Sequence, residues 1–244
     1  MLTQQQRAEK YGKTPTNHPG HIMERFGFFT DVDKEGAQGA LADVQRAHQH
    51  VTKTWTAIHG LLEAASRDPS QNEAAKLKSV ASEARKAADR ATQDAQGSIK
   101  HAQDSIKMLE ADIRAASRPP NATEAALDAE IRAYLRTLSP GDAFAKIMEA
   151  KSEDHDYVTL LRAASSGPAF LTGMTPDMQA QCRQRFHEHI KPEQVEGVAR
   201  LRKGIAIQER AINALAEHVN DHVDFATADG LRALEMKPIK LGGV

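Results

Sequence analysis

Cysteine, aromatic residues, net charge and long apolar runs are all scarce in this chain. Among 244 residues there is one cysteine, Cys182. It can form no disulfide within the chain and joins no thiolate cluster able to hold a structural zinc, so a reducing compartment is expected. Aromatic residues make up 5% of the chain. Burial must therefore come from small and aliphatic side chains, which predicts a thin, elongated molecule rather than a thick globular centre. Acidic and basic residues nearly cancel, 33 against 32. That balance removes the chain-wide positive field with which a general nucleic-acid binder displaces counterions, so nucleic acid is not an expected partner. No run of about 18 apolar residues occurs, and the start Met1-Leu2-Thr3-Gln4-Gln5-Gln6-Arg7 leads into no apolar stretch. Neither membrane spanning nor secretion by a standard signal is expected, which leaves the cytoplasm or a virion as the location. Strand-like alternation is nowhere long enough to build a sheet, and without strands no phosphate-binding glycine loop has its framework.

What is present is helix, and enough apolar residue, 40%, for real cores. Ala37, Leu41, Val44, His48, Val51, Trp55, Ile58, Leu62 and Ala65 alternate four and three residues apart, the spacing of a coiled-coil seam. Asp68-Pro69-Ser70 interrupts the pattern. An aspartate N-cap before a proline at the first helical position predicts a tight turn there, with one helix ending near Ser66 and a second running from Ser70 to Ser117. At 1.5 Å per residue the second helix would span roughly 70 Å against about 45 Å for the first, so it overshoots its partner. Its seam is alanine at 74, 81, 84, 88, 91 and 95 with Leu77, then Ile99, Ala102, Ile106, Leu109, Ile113 and Ala116. Two successive four-residue steps, Ala91 to Ala95 to Ile99, predict a stutter that locally unwinds the supercoil. The pairs Arg85 with Asp89, Arg90 with Asp94, Lys100 with Asp104 and Glu110 with Arg114 lie four apart on outer faces, each contributing ~0.3 kcal/mol.

These patterns divide the chain into five expected segments. Residues 1–35 form a polar, Gly- and Pro-punctuated arm, 36–118 the helical hairpin, 119–190 a cluster of short helices, 191–225 a long helix packing on the hairpin, and 226–244 a tail. Short helices are expected to start at Asn121 with Glu124 as a capping box, at Ser139-Pro140, at Ser152, and at Thr175-Pro176. The first of them should turn Leu127, Ile131, Tyr134, Leu135 and Leu138 to one side. The last long helix carries Val198, Leu201, Ile205, Gln208, Ile212, Leu215, Val219 and His222 at heptad spacing, completing a three-helix bundle. Gln208 at a core position could fix register at some cost in stability. The expected fold is thus all-α: an elongated antiparallel hairpin extended into a three-helix bundle, with a small helical cluster and extended terminal arms.

Candidate chemistry is thin. His218 and His222 lie four apart on one helix face, a metal-ligand spacing, and His187, His189 or Asp224 could in principle add a third ligand. Residue 219 is Val where a zincin needs its glutamate base, so a polar helix end is the plainer reading and no metal or cofactor is expected. Cys182 and His187 are five apart, out of register for a nucleophile and its base. His48 on the seam admits either an ordinary buried imidazole or a pH-sensitive joint. Arg183, Arg185, Arg200, Arg202, Lys203 and Arg210 make a locally basic region without aromatic interleaving. No residue is assigned a catalytic role. The partner-docking candidates are Ile22, Met23, Phe26, Phe28 and Phe29, a sticky knot in the polar arm holding three of the seven phenylalanines. Together these features point to a non-enzymatic structural or assembly protein with protein partners or self-association, for which a large particle such as a phage virion is one setting. The alternative is a small regulatory or inhibitory module that sequesters one protein partner.

Overall fold

The computed structural model describes residues 39–153 and 156–235, and within them every regular element is a helix, as expected. In chain order these are α1 (Ala40–Arg67), α2 (Glu73–Ala116), α3 (Ala122–Leu135), α4 (Pro140–Glu149), α5 (Tyr157–Ser165), a 3-10 turn at Ala169–Leu171, α6 (Pro176–Ile190), α7 (Pro192–His222) and α8 (Phe225–Glu235). The described residues fall into two compact units, 39–103 with 201–235 and 104–200, and the dividing points lie inside α2 and α7.

The first unit is built on the predicted seams. Val44, His48, Val51, Trp55 and Ile58 of α1 are buried, and Ala81, Ala84, Ala91 and Ala95 of α2 meet them at 5% exposure or less. Ala211, Leu215 and Val219 of α7 close the same core. Two imidazole–carboxylate contacts record the register of the hairpin: Asp43 with His101 at 2.7 Å, and His50 with Asp94 at 2.8 Å. Moving one heptad up α1 moves one heptad back down α2, so the two helices are antiparallel without slippage. Trp55 stacks on His218, and Leu62 and Ala65 share a cleft with His222, so α7 runs parallel to α1.

Several local expectations are corrected. Asp68 does not cap α2: its carboxylate accepts from the Ser70 N–H and hydroxyl at 2.7 and 2.6 Å, which holds it below the usual carboxylate range. Pro69 keeps Asp68 extended, and α2 instead starts at Glu73 behind Asn72, whose side chain accepts from the Ala75 N–H at 2.8 Å. Ser98 rather than Ile99 takes the buried position after Ala95, because its hydroxyl is satisfied by the Ala95 carbonyl at 2.8 Å. The four-residue steps therefore fall later, from Ser98 through Ala102 to Ile106. Two expected surface pairs are redirected by tertiary partners: Arg85 binds Asp229 of α8, and Asp94 binds His50. Residues 226–235, expected within a tail, lie in α8 (Phe225–Glu235), because Asp224 accepts from the Thr227 N–H at 3.0 Å and Phe225, Ala228 and Leu231 follow at helical spacing.

In the second unit α3 to α6 enclose a core that includes Leu135, Ile147, Tyr157, Leu161, Cys182 and Phe186. Asn121, Ser139 and Thr175 cap α3, α4 and α6 as predicted, accepting from the N–H groups of Glu124, Asp142 and Met178. Ser152 does not cap α5, which begins five residues later at Tyr157 with no side-chain cap; burial of Tyr157 sets its start. Gly167, at φ 75, ends α5 in the left-handed region that a side chain would disfavour. The inward side of α3 is Asp128, Ile131 and Leu135, while Leu127 and Tyr134 stay exposed.

Gln208 is fully buried, and neither polar atom of its side chain has a hydrogen-bond partner among the described residues. A buried amide in that state costs about 1–3 kcal/mol. Gln208→Leu is expected to raise the thermal midpoint by a corresponding amount in a helix-monitored melt; a lowered midpoint would show that the amide is bonded in solution.

Candidate functional site

An open cleft of about 1210 Å³ lies in the first unit where the end of α1, the start of α2, the end of α7 and α8 converge. The seam positions toward the turn line it, Leu62 and Ala65 from α1 and Ala74 and Leu77 from α2, together with the buried Val80. Val223, Phe225 and Leu231 complete its apolar surface. Among its charged groups Lys76 pairs with Glu73 at 3.4 Å, and Asp224 is held below the usual carboxylate range by the Thr227 hydroxyl and N–H. Arg85 fixes α8 across the unit. It makes two bonds to Asp229, at 3.2 and 2.9 Å, and lies 4.7 Å over the Phe225 ring. That pairing holds the Asp229 carboxyl low and raises the guanidinium.

His218 and His222 do share a helix face, with ring centroids 4.3 Å apart. They do not converge on an ion. His222 donates from Nδ1 to the His218 carbonyl oxygen at 2.8 Å, and His218 is buried against the indole of Trp55 at 4.2 Å. His59 also stacks on Trp55, with centroids 5.6 Å apart, and lies 6.2 Å from His218. The suggested third ligands lie elsewhere: Asp224 caps α8, His189 meets the Tyr157 ring edge-on at 5.1 Å, and His187 is half-buried on α6. Among the described residues no set of three or more His, Cys, Asp or Glu is placed to hold a metal.

The basic region read from sequence is broken up by the second unit's own needs. Arg185 donates to the carbonyls of Ile147, Met148 and Ala150 at 3.2, 2.7 and 2.9 Å, so it caps the end of α4. Arg183 bonds the Ser165 carbonyl at the end of α5, and Arg200 pairs with Glu196 at 2.6 Å. A more deeply buried set escaped the sequence reading: Arg162 binds Asp128 at 2.9 to 3.1 Å and also reaches Glu124. These bonds raise the Arg162 guanidinium, Asp128 first among them. Asp128 was legible in principle, being a carboxylate on the same face as Ile131 and Leu135. Glu124 thus turns away from the reciprocal half of its capping box to serve Arg162. Cys182 is buried, and desolvation pushes its thiol up to about 11.

The docking candidates Ile22, Met23, Phe26, Phe28 and Phe29 lie outside the described residues. No helix among the described residues is long and apolar enough to cross a membrane. Comparison with protein-family models, with characterised proteins and with solved structures finds no match to the chain.

Arg162→Met would leave the Asp128 carboxylate buried without its countercharge, a loss on the order of 3–5 kcal/mol measurable by denaturant unfolding. A loss under about 1 kcal/mol would place the pair at a wetter site. Cys182, protonated at neutral pH, is expected to resist alkylation in the native protein and to react once denaturant exposes it. Rapid native labelling would contradict its burial.

Proposed function

We propose that this chain is a non-enzymatic structural or assembly protein, in which residues 22–29 of one copy dock in the first-unit cleft of another. The cleft carries this reading. Its volume of about 1210 Å³ exceeds the ~300–1,000 Å³ usual for small-molecule sites, and its apolar lining suits the side chains of a polypeptide segment. Ile22, Met23, Phe26, Phe28 and Phe29 concentrate five large apolar residues within eight positions of an otherwise polar arm. A contact between an arm and a different surface is heterologous, and such contacts propagate into rings or open assemblies. A large particle, of which a phage virion is one example, is a setting suited to this mode of assembly. The internal use of Arg162, Arg183 and Arg185 adds support, since it assigns these polar side chains to holding the fold.

Light scattering behind size exclusion, run over a range of concentrations, tests the proposal. Discrete species of several chains are expected. The triple variant Phe26→Ala, Phe28→Ala, Phe29→Ala and the cleft variant Leu231→Lys should each return the mass to that of one chain while helix content holds. A clean monomer at every concentration would overturn self-association and favour the alternative, a regulatory module that sequesters one soluble protein.

A further inference from the structure

The last described helix, α8, is itself a wall of the cleft. Phe225 and Leu231 contribute to the apolar lining, and Leu231 stands about one turn before the end of the helix at Glu235. The sequence continues as Met236-Lys237-Pro238-Ile239-Lys240-Leu241-Gly242-Gly243-Val244. In extended form a segment of that length reaches up to about 30 Å, whereas the 11 residues of α8 measure about 16 Å. It is long enough to double back along α8, past Leu231 to Phe225.

Its composition suits the cleft. Pro238 has no N–H with which to continue a helical ladder, and it favours extended backbone at Lys237 before it. In extended backbone Ile239 and Leu241 fall on one side and Lys240 on the other. The first side can meet Leu62, Ala65, Leu77 and Leu231, in the way an extended peptide seats alternate side chains in apolar pockets. Charge has the matching sign. The lining carries carboxylates at Glu73, Asp221 and Asp224 against one ammonium at Lys76. Residues 236–244 carry Lys237 and Lys240 and no acidic residue, whereas within residues 22–29 Glu24 and Arg25 cancel.

We propose that residues 236–244 occupy the cleft of their own chain and compete there with residues 22–29 of another copy. A tether this short gives an effective concentration on the order of millimolar, so even a weak contact fills the cleft much of the time. A segment bound about nine-tenths of the time raises the apparent Kd of a competitor about ten-fold. Assembly then begins at a correspondingly higher concentration of chain. The competition rests on the docking proposed above, whereas occupancy of the cleft by residues 236–244 does not.

In the whole chain carrying Cys182→Ser and Leu241→Cys, the single thiol reports on the segment. It is studied at a dilution where the mass is that of one chain. There it is expected to react with a maleimide about ten-fold more slowly than the same thiol in a chain that also carries Leu231→Lys. Ala65→Arg supplies a second cleft variant should Leu231→Lys displace α8. Equal rates in all three chains would overturn the proposal. So would protection seen only at high concentration, which marks a segment docked in another copy. Competition is read separately, from the anisotropy of a dye-labelled peptide of residues 20–31 added to the Phe26→Ala, Phe28→Ala, Phe29→Ala chain. Adding Ile239→Asp and Leu241→Asp to that chain should tighten peptide binding about ten-fold, and unchanged affinity would overturn the competition. A peptide that binds neither chain, beside a protected thiol, would contradict docking by residues 22–29 and support residues 236–244 as the occupant of the cleft.

Discussion

The first unit depends on large side chains of one helix meeting alanines on another. Trp55 and Ile58 can be buried between α1, α2 and α7 because Ala84, Ala91 and Ala95 leave room beside them. Alanine loses no side-chain entropy on burial, so a seam with few aromatics still holds, but it places most of the packing free energy on a few bulky residues. Losing a buried aromatic of this kind costs about 3–5 kcal/mol. The two His–Asp pairs, both nearer the start of α1 than this layer, set which alanine meets which large residue. They are half-exposed and contribute more to register than to stability.

The cleft is the other face of the same constraint. Where the seam runs past its last complete layer, Leu62, Ala65 and Leu77 are only partly buried, and α8 covers only part of the area. Arg85 holds α8 by its bonds to Asp229 and by its position over Phe225, so a short helix can pack without a large apolar face. The second unit handles polarity differently. Its short helices end inside the structure, and Arg185 and Arg183 satisfy the carbonyls at those ends.

The periodic parts of the fold were legible in the sequence, and the parts set by long-range partners were not. Heptads placed Val44, Val51 and Trp55 correctly because burial follows helix period directly. The proline and small-polar caps at Ser139 and Thr175 were readable because they act within four residues. Asp68 offered two local uses, as a cap and as a turn, and only the placement of Asn72 decides between them. Arg85 and Asp94 looked like surface pairs because their true partners lie on other helices. Asp128 sat in plain view on an apolar face, but its partner Arg162 is 34 positions away. For the candidate site, the sequence brought out His218 and His222 as a pair; what it could not supply was Trp55 and His59 beside them, since that depends on α7 running parallel to α1.

The central claim, that α1 and α2 pair within one chain in the register set by His50 with Asp94, can be measured by crosslinking. With Cys182 replaced by serine, cysteines at 50 and 94 should be bridged within a single chain by a short bifunctional maleimide in dilute solution. Cysteines at 50 and 101, offset by about 10 Å along the helix axis, should not be bridged. Efficient linkage of the second pair, or linkage of the first only between chains, would contradict the hairpin and the core built on it.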